Sequence, residues 1–297
     1  MTAADPSPRK AAAWMAGWLT AMVVMAVAGR AATRTLHVFQ IMEMRSLIGF
    51  ILLWPLIHAN GGLSALRTAR IGQQVARNTM HYAAQFGWFF ALTLIPIAQV
   101  VAIEFTMPIW TALLAVTFLG ERLNAARVVA VALGVVGVAV IVRPGVDQVD
   151  PGQLIALAAA VGFAVSVILV KSLTRSDSAV TIVFWMLVVQ SAIGAVPALI
   201  VWRTPTAAVW PWVLVIALCG TYSHFCMTQA LRHAEATMIV PMDFLRVPLS
   251  AVAGWLAFGE RIDAFTIGGA ALILSANLLN LRRPAPVPNG QQMATHP

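Results

Sequence analysis

Five ionisable side chains lie inside long apolar runs of this sequence, where a charge is costly unless it binds something. They are Glu43, Arg45, Glu104, Asp243 and Arg246. Guanidinium groups bind carboxylates through parallel N–H donors, and buried carboxylates bind cations or carry a proton. The five residues therefore predict either a binding site for a charged small molecule or a salt-bridge network that only holds helices together.

The spacing of these residues indicates which of them can pair locally. Asp243 and Arg246 are three positions apart, so both lie on one face of a helix and can form an ion pair. Glu43 and Arg45 are two positions apart, about 200° around a helix, and each needs a partner on another helix. We expect Arg45, Arg246 and Asp243 to bind the substrate. Glu43 is expected near the end of its helix, where water reaches it.

Glu104 is the expected carrier of an exchangeable proton. The three carboxylates outnumber the two guanidinium groups by one, and a carboxyl buried without a cation favours its protonated form. Asp243 has Arg246 on its own helix, whereas Glu104 has no basic residue on its helix. The pattern therefore predicts proton coupling through Glu104, with a static salt-bridge network as the alternative.

Polar and aromatic side chains on two further helices are candidates for lining the same site. His81, Gln85 and Trp88 share one helix face, and Tyr222 and Gln229 share another. Such a lining suits an amphiphilic solute. For His81 the alternative is a hydrogen bond between helices. The sequence has no HxxxH, CxxC or clustered carboxylate pair, so neither a metal nor a cofactor is expected.

The composition indicates the elements that position these residues. The chain is 60% hydrophobic and 10% charged, with a mean hydropathy of +0.83, which is typical of a membrane protein. Its apolar runs show no two-residue alternation, so we expect an all-α bundle. Ten transmembrane helices are predicted at about 11–29, 38–58, 79–94, 97–119, 125–142, 153–170, 179–201, 210–230, 237–258 and 264–281.

An internal repeat organises the ten predicted helices. Residues 91–122 and 230–261 align without a gap at an offset of 139, and the register continues to 143 and 282. This predicts two five-helix repeats, 12–143 and 152–282, followed by a disordered cytoplasmic tail at 284–297. Because five is odd, the second repeat enters the membrane from the opposite face, which gives an inverted repeat. Glu104 and Asp243 occupy equivalent positions in the two repeats.

Prolines and a repeated hairpin motif indicate where these helices bend and end. Pro108 and Pro248 lie at nearly equivalent positions, and Pro241 precedes Asp243 by two residues, so we expect bends near the charged groups. The motif G-E-R-[LI]-[ND]-A occurs at 120–125 and 259–264. Its Gly suits a helix end and its Asn or Asp suits the next helix start, so we interpret the motif as structural.

The distribution of lysine and arginine predicts the orientation. With the N-terminus inside, 12 basic residues lie in inner segments. The outer loops then contain five, namely Arg30, Arg34, Arg143, Arg203 and Arg261. The positive-inside rule places both termini in the cytoplasm of a multi-pass protein of the inner (plasma) membrane. The net charge of +8 reflects this topology, and nucleic acid is not an expected partner.

The repeated block "AL…P…(E/D)F…P…LLA…LGER" resembles the EamA domains of the drug/metabolite transporter superfamily. The resemblance also includes Arg45 within "EMRSLIGFILLWPL", and it covers nearly the whole chain in two copies, about 12–143 and 152–282. It implies a ten-helix carrier with a central cavity that moves small organic metabolites. The helix with "VPMDFLRVPLSAVAGWLAFGE" is similar to a branch that includes S-adenosylmethionine uptake carriers.

Three functional classes are compatible with the hydropathy, and we expect a carrier. Charged groups of both signs favour an amino acid or a similar zwitterionic or amphiphilic solute, moved by alternating access. S-adenosylmethionine satisfies the same description, and a channel or lipid-moving protein is the alternative class. An enzyme is not expected, because HExxH, GxSxG and GxGD are absent. The expected partners are the lipid bilayer and a small-molecule substrate, and a homodimer stays open.

Overall fold

The computed structural model describes residues 8–59, 61–119, 125–143, 149–173, 176–233 and 242–281. Within these ranges the regular structure is helical, without a β-strand. The elements are α1 (Pro8–Ala32), α2 (Val38–Ala59), a 3₁₀ turn (Gly62–Leu66), α3 (Ile71–Leu94), α4 (Ile97–Glu104), α5 (Met107–Leu119), α6 (Ala125–Val142), α7 (Pro151–Leu173), α8 (Ala179–Ile200), α9 (Trp210–His233), α10 (Arg246–Phe258) and α11 (Ala264–Leu281). The predicted tail at 284–297 lies outside the described residues.

The lengths and compositions of the helices confirm an all-helical membrane fold. Four described segments are long and apolar enough to cross a bilayer. They are Arg9–Ala32, Val38–Ala59, Pro151–Val170 and Val180–Ile200. Shorter apolar helices follow at Ile97–Thr111, Val128–Val142, Trp210–Ser223, Arg246–Phe258 and Ala264–Leu279. The prediction of ten full spans is therefore supported only in part.

The fourth predicted helix is interrupted, which the hydrophobic pattern does not indicate. α4 ends at Glu104, Phe105 and Thr106 form a turn, and α5 begins at Met107. Pro108 cannot donate a hydrogen bond to the carbonyl four residues earlier, at Glu104, which weakens the helix at this point. The bend expected at Pro108 is thus a break directly after the carboxylate.

The helices pack most densely in four pairs. α1 packs against α9, α3 against α7, α2 against α8, and α6 against α11. The large buried side chains of the core include Ile41, Phe89, Leu92, Ile103 and Ile216. Each pair joins one helix from residues 8–143 with one from residues 149–281, so the charged residues between them contact both halves of the chain.

Two glycines bring the backbones of α6 and α11 into close contact. A Cβ atom on Gly269 would lie 2.5 Å from the carbonyl oxygen of Gly137. A Cβ on Gly137 would in turn lie 2.8 Å from the carbonyl oxygen of Gly269. Side chains do not fit between these backbones, so the two helices are held at a fixed separation.

The second G-E-R hairpin has the expected structural features. Gly259 ends α10 in the left-handed conformation, with φ of 67°. Asp263 accepts a hydrogen bond from the backbone N–H of Thr266 at 2.6 Å and so caps α11. The first copy of the hairpin, at 120–124, lies outside the described residues.

Candidate functional site between the two halves

The two intramembrane carboxylates of the repeat stand directly before two helix breaks. After Glu104 the chain turns at Phe105 and Thr106, and after Asp243 it turns at Phe244 and Leu245. The positions match at the offset of 139 residues. A broken helix leaves backbone carbonyl groups free of intrahelical bonds, and such breaks are common where membrane proteins bind polar solutes. Pro241 lies outside the described residues.

Arg246 binds both carboxylates. Its Nη1 donates to Glu104 Oε1 at 3.0 Å, and its Nε lies 3.5 Å from Asp243 Oδ1. All three side chains are largely buried. We call Glu104, Asp243 and Arg246 the charged triad. With both carboxylates ionised, its net charge is −1, so it attracts a cationic group.

Aromatic side chains surround the charged triad. Trp88 Nε1 donates to Glu104 Oε2 at 2.8 Å, and Trp18 Nε1 donates to Asp243 Oδ1 at 2.6 Å. The guanidinium of Arg246 lies 4.7 Å from the ring centre of Phe105, a cation–π contact. Phe105 also meets Phe244 edge to face, with ring centres 5.5 Å apart. The triad is thus held rigidly and offers flat apolar surfaces beside its charges.

Arg45 is a positive charge separate from the net-negative triad. Its Nη2 donates to Gln85 Oε1 at 2.7 Å and to Gln190 Oε1 at 2.9 Å. Within the described part of the chain, no carboxylate lies within ion-pair distance of Arg45. Gln85 precedes Trp88 by three positions on α3, so this one helix contacts both Arg45 and the charged triad.

An ion pair between Arg30 and Glu260 links the helices at one end of the bundle. Arg30 Nε lies 2.8 Å from Glu260 Oε1, and Arg30 Nη1 also donates to the carbonyl oxygens of Leu92 and Ile95, each at 2.7 Å. Glu260 Oε2 accepts from the backbone N–H of Ile97 at 2.9 Å. These contacts tie α1, the α3–α4 junction and the α10–α11 hairpin together. We call this ion pair the Arg30–Glu260 lock.

The opposite end is tied through Asp177, between α7 and α8. Thr68 Oγ1 donates to Asp177 Oδ2 at 2.7 Å and Gln74 Nε2 donates to the same oxygen at 2.8 Å. Burial acts to raise the pKa of Asp177, but the hydrogen bonds and the charge of Arg70 hold it below its usual value. The carboxylate therefore stays ionised and keeps both donors.

The sequence matches one family model twice, at residues 9–143 and 150–282, and its description is the EamA-like transporter family. The chain belongs to the EamA-like transporter family. Since this is a family of transporters in the drug/metabolite transporter superfamily, the expected family is confirmed.

Named relatives of this EamA-family chain transport different organic solutes. An S-adenosylmethionine uptake transporter of Rickettsia bellii (strain RML369-C) is 27% identical, covering 82% of this chain and 83% of its own. A riboflavin transporter of Rhizobium johnstonii is 34% identical, covering 74% of each chain. The pseudopaline exporter CntI of Pseudomonas aeruginosa is 27% identical, covering 85% of this chain and 89% of its own. A solved crystal structure aligns with a TM-score of 0.64 at 20% identity, covering 92% and 97%, which shows a shared fold.

In this EamA-family chain, only two of the three α3 residues predicted to line the site, Gln85 and Trp88, contact its charged residues. Gln85 binds Arg45 and Trp88 binds Glu104, whereas His81 turns towards α7. There, His81 Nδ1 lies 3.3 Å from Ser166 Oγ, and its ring packs against Phe163. His81 thus adopts the alternative arrangement, a hydrogen bond between helices.

On α9 the two predicted lining residues have different outcomes. Tyr222 is 49% exposed and lies beside Gly17 of α1. The side chain of Gln229 lies outside the described residues. The contacts described for Tyr222 do not include the charged triad. Among the described residues, no group of three or more His, Cys, Asp or Glu side chains could hold a metal ion.

Glu104 has a cationic partner on another helix, which the sequence of its own helix could not predict. Arg246 reaches it from α10, so a main reason for predicting Glu104 as the protonated carboxyl does not hold, and proton coupling through Glu104 stays a prediction. Glu43, in contrast, is only 7% exposed, so its expected position near water is wrong. It accepts a hydrogen bond from Ser191, and its Oε2 has no hydrogen-bond partner among the described residues.

Trp18 is a site residue that sequence reasoning missed. Most of the ten tryptophans are explained by the membrane interface, and nothing in the composition of α1 distinguishes Trp18. Its role depends on α1 packing beside α10, which brings the indole to Asp243. Only the repeat could have given a hint, because it places Asp243 opposite Glu104 across the two halves.

Proposed function

We propose that this EamA-family protein is a secondary transporter that moves a small organic solute carrying both charge signs across the inner membrane. The observation that carries the proposal is the charged triad. It lies at two broken helices, it joins the two halves of the chain, and it is a costly arrangement unless a solute uses it. No phosphate-binding loop is present in the sequence, so direct use of ATP is not part of the proposal.

Alternating access between two inverted halves is the proposed mechanism. The helix pairs support it, because exchanging the halves turns the pair α1–α9 into α7–α3 and leaves α2–α8 and α6–α11 unchanged. Two halves related in this way can rock about a fixed site and open it to each face in turn. The excess of basic residues in alternate loops supports cytoplasmic termini, which places the Arg30–Glu260 lock on the outer side.

S-adenosylmethionine is the first solute to test. Its carboxylate, ammonium and sulfonium groups carry both signs, and its adenine is a flat ring that suits Trp88 and Phe105. The relatives named for S-adenosylmethionine and for riboflavin both handle a planar heterocycle. Amino acids carry the same two charges but lack the ring, so they are the second class to test.

The test is transport by the purified protein in proteoliposomes. We expect labelled S-adenosylmethionine to enter with saturable kinetics and to exchange against unlabelled solute preloaded inside. Riboflavin and a mixture of amino acids serve as competitors, and empty liposomes give the background. A flux that rises linearly with concentration and shows no exchange would indicate a channel instead of a carrier.

Opening of the Arg30–Glu260 lock should be measurable without knowing the solute. We expect Glu260→Gln to increase about tenfold the labelling rate of a reporter cysteine at Ser250, which is fully buried on α10, one turn from Arg246 towards Glu260. The amide keeps an acceptor for Ile97 but loses the charge, and tenfold corresponds to about 1.4 kcal/mol. The measurement uses a membrane-impermeant maleimide on a variant lacking Cys219 and Cys226.

Asp263→Asn is the matched control for this measurement. Asp263 lies at the same end and pairs with Arg143, but this pair joins α11 only to the end of α6. We expect its neutralisation to leave the labelling of the cysteine at position 250 unchanged. Equal labelling rates in the Glu260→Gln variant and its parent would show that the lock does not control access.

A further inference from the structure

The surroundings of Arg45 contain N–H donors that have no acceptor. Arg45 Nη2 uses both available amide oxygens, those of Gln85 and Gln190. Arg45 Nε and Gln190 Nε2 are buried, and neither has a hydrogen-bond partner among the described residues. Buried donors almost always have acceptors in folded proteins. One unpaired donor on the guanidinium and one on the Gln190 amide therefore indicate a place for an anionic oxygen.

Arg45 and Arg246 differ in how their charge is balanced. Arg246 contacts two carboxylates, so its positive charge is more than balanced inside the protein. Arg45 is the eighth residue of α2, and within the described ranges its side-chain hydrogen bonds go to the neutral amides of Gln85 and Gln190. An unbalanced charge inside the membrane lowers the stability of the protein. Such a charge is retained where it binds a ligand.

The position of Arg45 suits a ligand held between the halves. Its guanidinium is contacted from α3 and α8, and Gly220 of α9 adds no side chain against its Nη1, which lies 3.7 Å from the place of a Cβ. Along α3, Gln85 and Trp88 are one turn apart, a rise of about 4.5 Å. A small solute can therefore contact Arg45 with one end and the net-negative triad with the other.

We propose that Arg45 and Gln190 form the subsite for the carboxylate of the transported solute, while the charged triad attracts its cationic end. This inference rests on the proposed transport function and adds the orientation of the solute. Arg45 supplies charge-assisted donors, and the Gln190 amide adds a neutral one. Arg246 has no such role, because Glu104 and Asp243 already occupy it.

The test compares solutes with and without a carboxylate. The purified full-length protein is titrated by calorimetry with two pairs, S-adenosylmethionine with its decarboxylated form and lysine with cadaverine. We expect the carboxylate-bearing member to bind more tightly in the wild-type protein. Arg45→Met should weaken its binding about tenfold to a hundredfold, as for a lost charged hydrogen bond, and leave the partner's affinity unchanged.

Arg77→Met is the matched control. Arg77 is also a buried arginine on a neighbouring helix, where it donates to Asn78. We expect this variant to keep the difference between the members of each pair. Equal weakening of both members by Arg45→Met, or the same pattern in Arg77→Met, would overturn the subsite.

A measurement without ligand separates binding from a structural role. If Arg45 serves a solute, removing its unbalanced charge should leave or raise the melting temperature of the unliganded protein. If its bonds to Gln85 and Gln190 hold the bundle, Arg45→Met should lower it by several degrees, which would refute the proposal. Should carboxylate-free solutes bind as tightly as their counterparts while saturable transport is observed, the subsite is refuted and the transport function stands.

Discussion

We expect Arg246→Met to abolish transport and to lower the free energy of unfolding by about 3–5 kcal/mol, because it leaves two buried carboxylates without their cation. Arg246 is the one described basic residue that contacts both Glu104 and Asp243. Methionine fills a similar volume, so the loss comes from the charge and its hydrogen bonds. The measurements are thermal or denaturant unfolding in detergent and solute exchange in proteoliposomes.

A triple variant serves as the control for this effect. Arg246→Met combined with Glu104→Gln and Asp243→Asn removes all three charges, so no buried carboxylate stays unpaired. We expect the triple variant to recover most of the lost stability but none of the transport. Arg246→Lys keeps the charge but loses the planar fork that reaches both carboxylates, and we expect intermediate stability and impaired transport. If the triple variant transports solute, the triad is a structural element only.

We expect Gly269→Ala to lower the free energy of unfolding by about 1–3 kcal/mol, although alanine favours helices more than glycine does. The added methyl group would collide with the carbonyl oxygen of Gly137, and a backbone atom cannot move aside as a flexible side chain can. α6 and α11 would have to separate along their whole contact. The measurement is the melting temperature of the purified variant.

Gly268→Ala tests whether the effect depends on this contact. Gly268 is the preceding residue on the same helix, and no atom lies within 4 Å of the place its Cβ would occupy. We expect this variant to be as stable as the wild type or slightly more stable, because of the better helix propensity. Equal destabilisation by both substitutions would mean that the close backbone contact with Gly137 is not the cause of the stability loss.

The sequence predicted the helical membrane fold because hydrophobic length alone specifies it. A run such as 179–201 must cross a bilayer or be buried, whatever its neighbours are. The same holds for Gly259 and Asp263, whose roles at helix ends depend on residues close in sequence. These features are local, so a single sequence is sufficient to predict them.

The pairing of the charged residues could not be predicted in the same way. Periodicity indicates which face of a helix a residue occupies, but not which helix packs against that face. Arg246 and Glu104 are 142 positions apart, and Glu43 and Ser191 are 148 apart. The prediction therefore gave Glu104 no cation and placed Glu43 near water, because only residues on the same helix could be compared.

The composition of the charged triad makes the two halves unequal. Glu104 and Asp243 occupy matching positions, but the position that matches Arg246 in the first half is Met107, which carries no charge. In a perfectly symmetric inverted repeat the inward-open and outward-open states would have equal energies, since a two-fold rotation about an axis in the membrane plane would interconvert them. A guanidinium carried by one half moves with that half, so the two open states differ in energy. For the proposed alternating-access cycle we therefore expect unequal populations of the two open states and different rates for the two half-cycles.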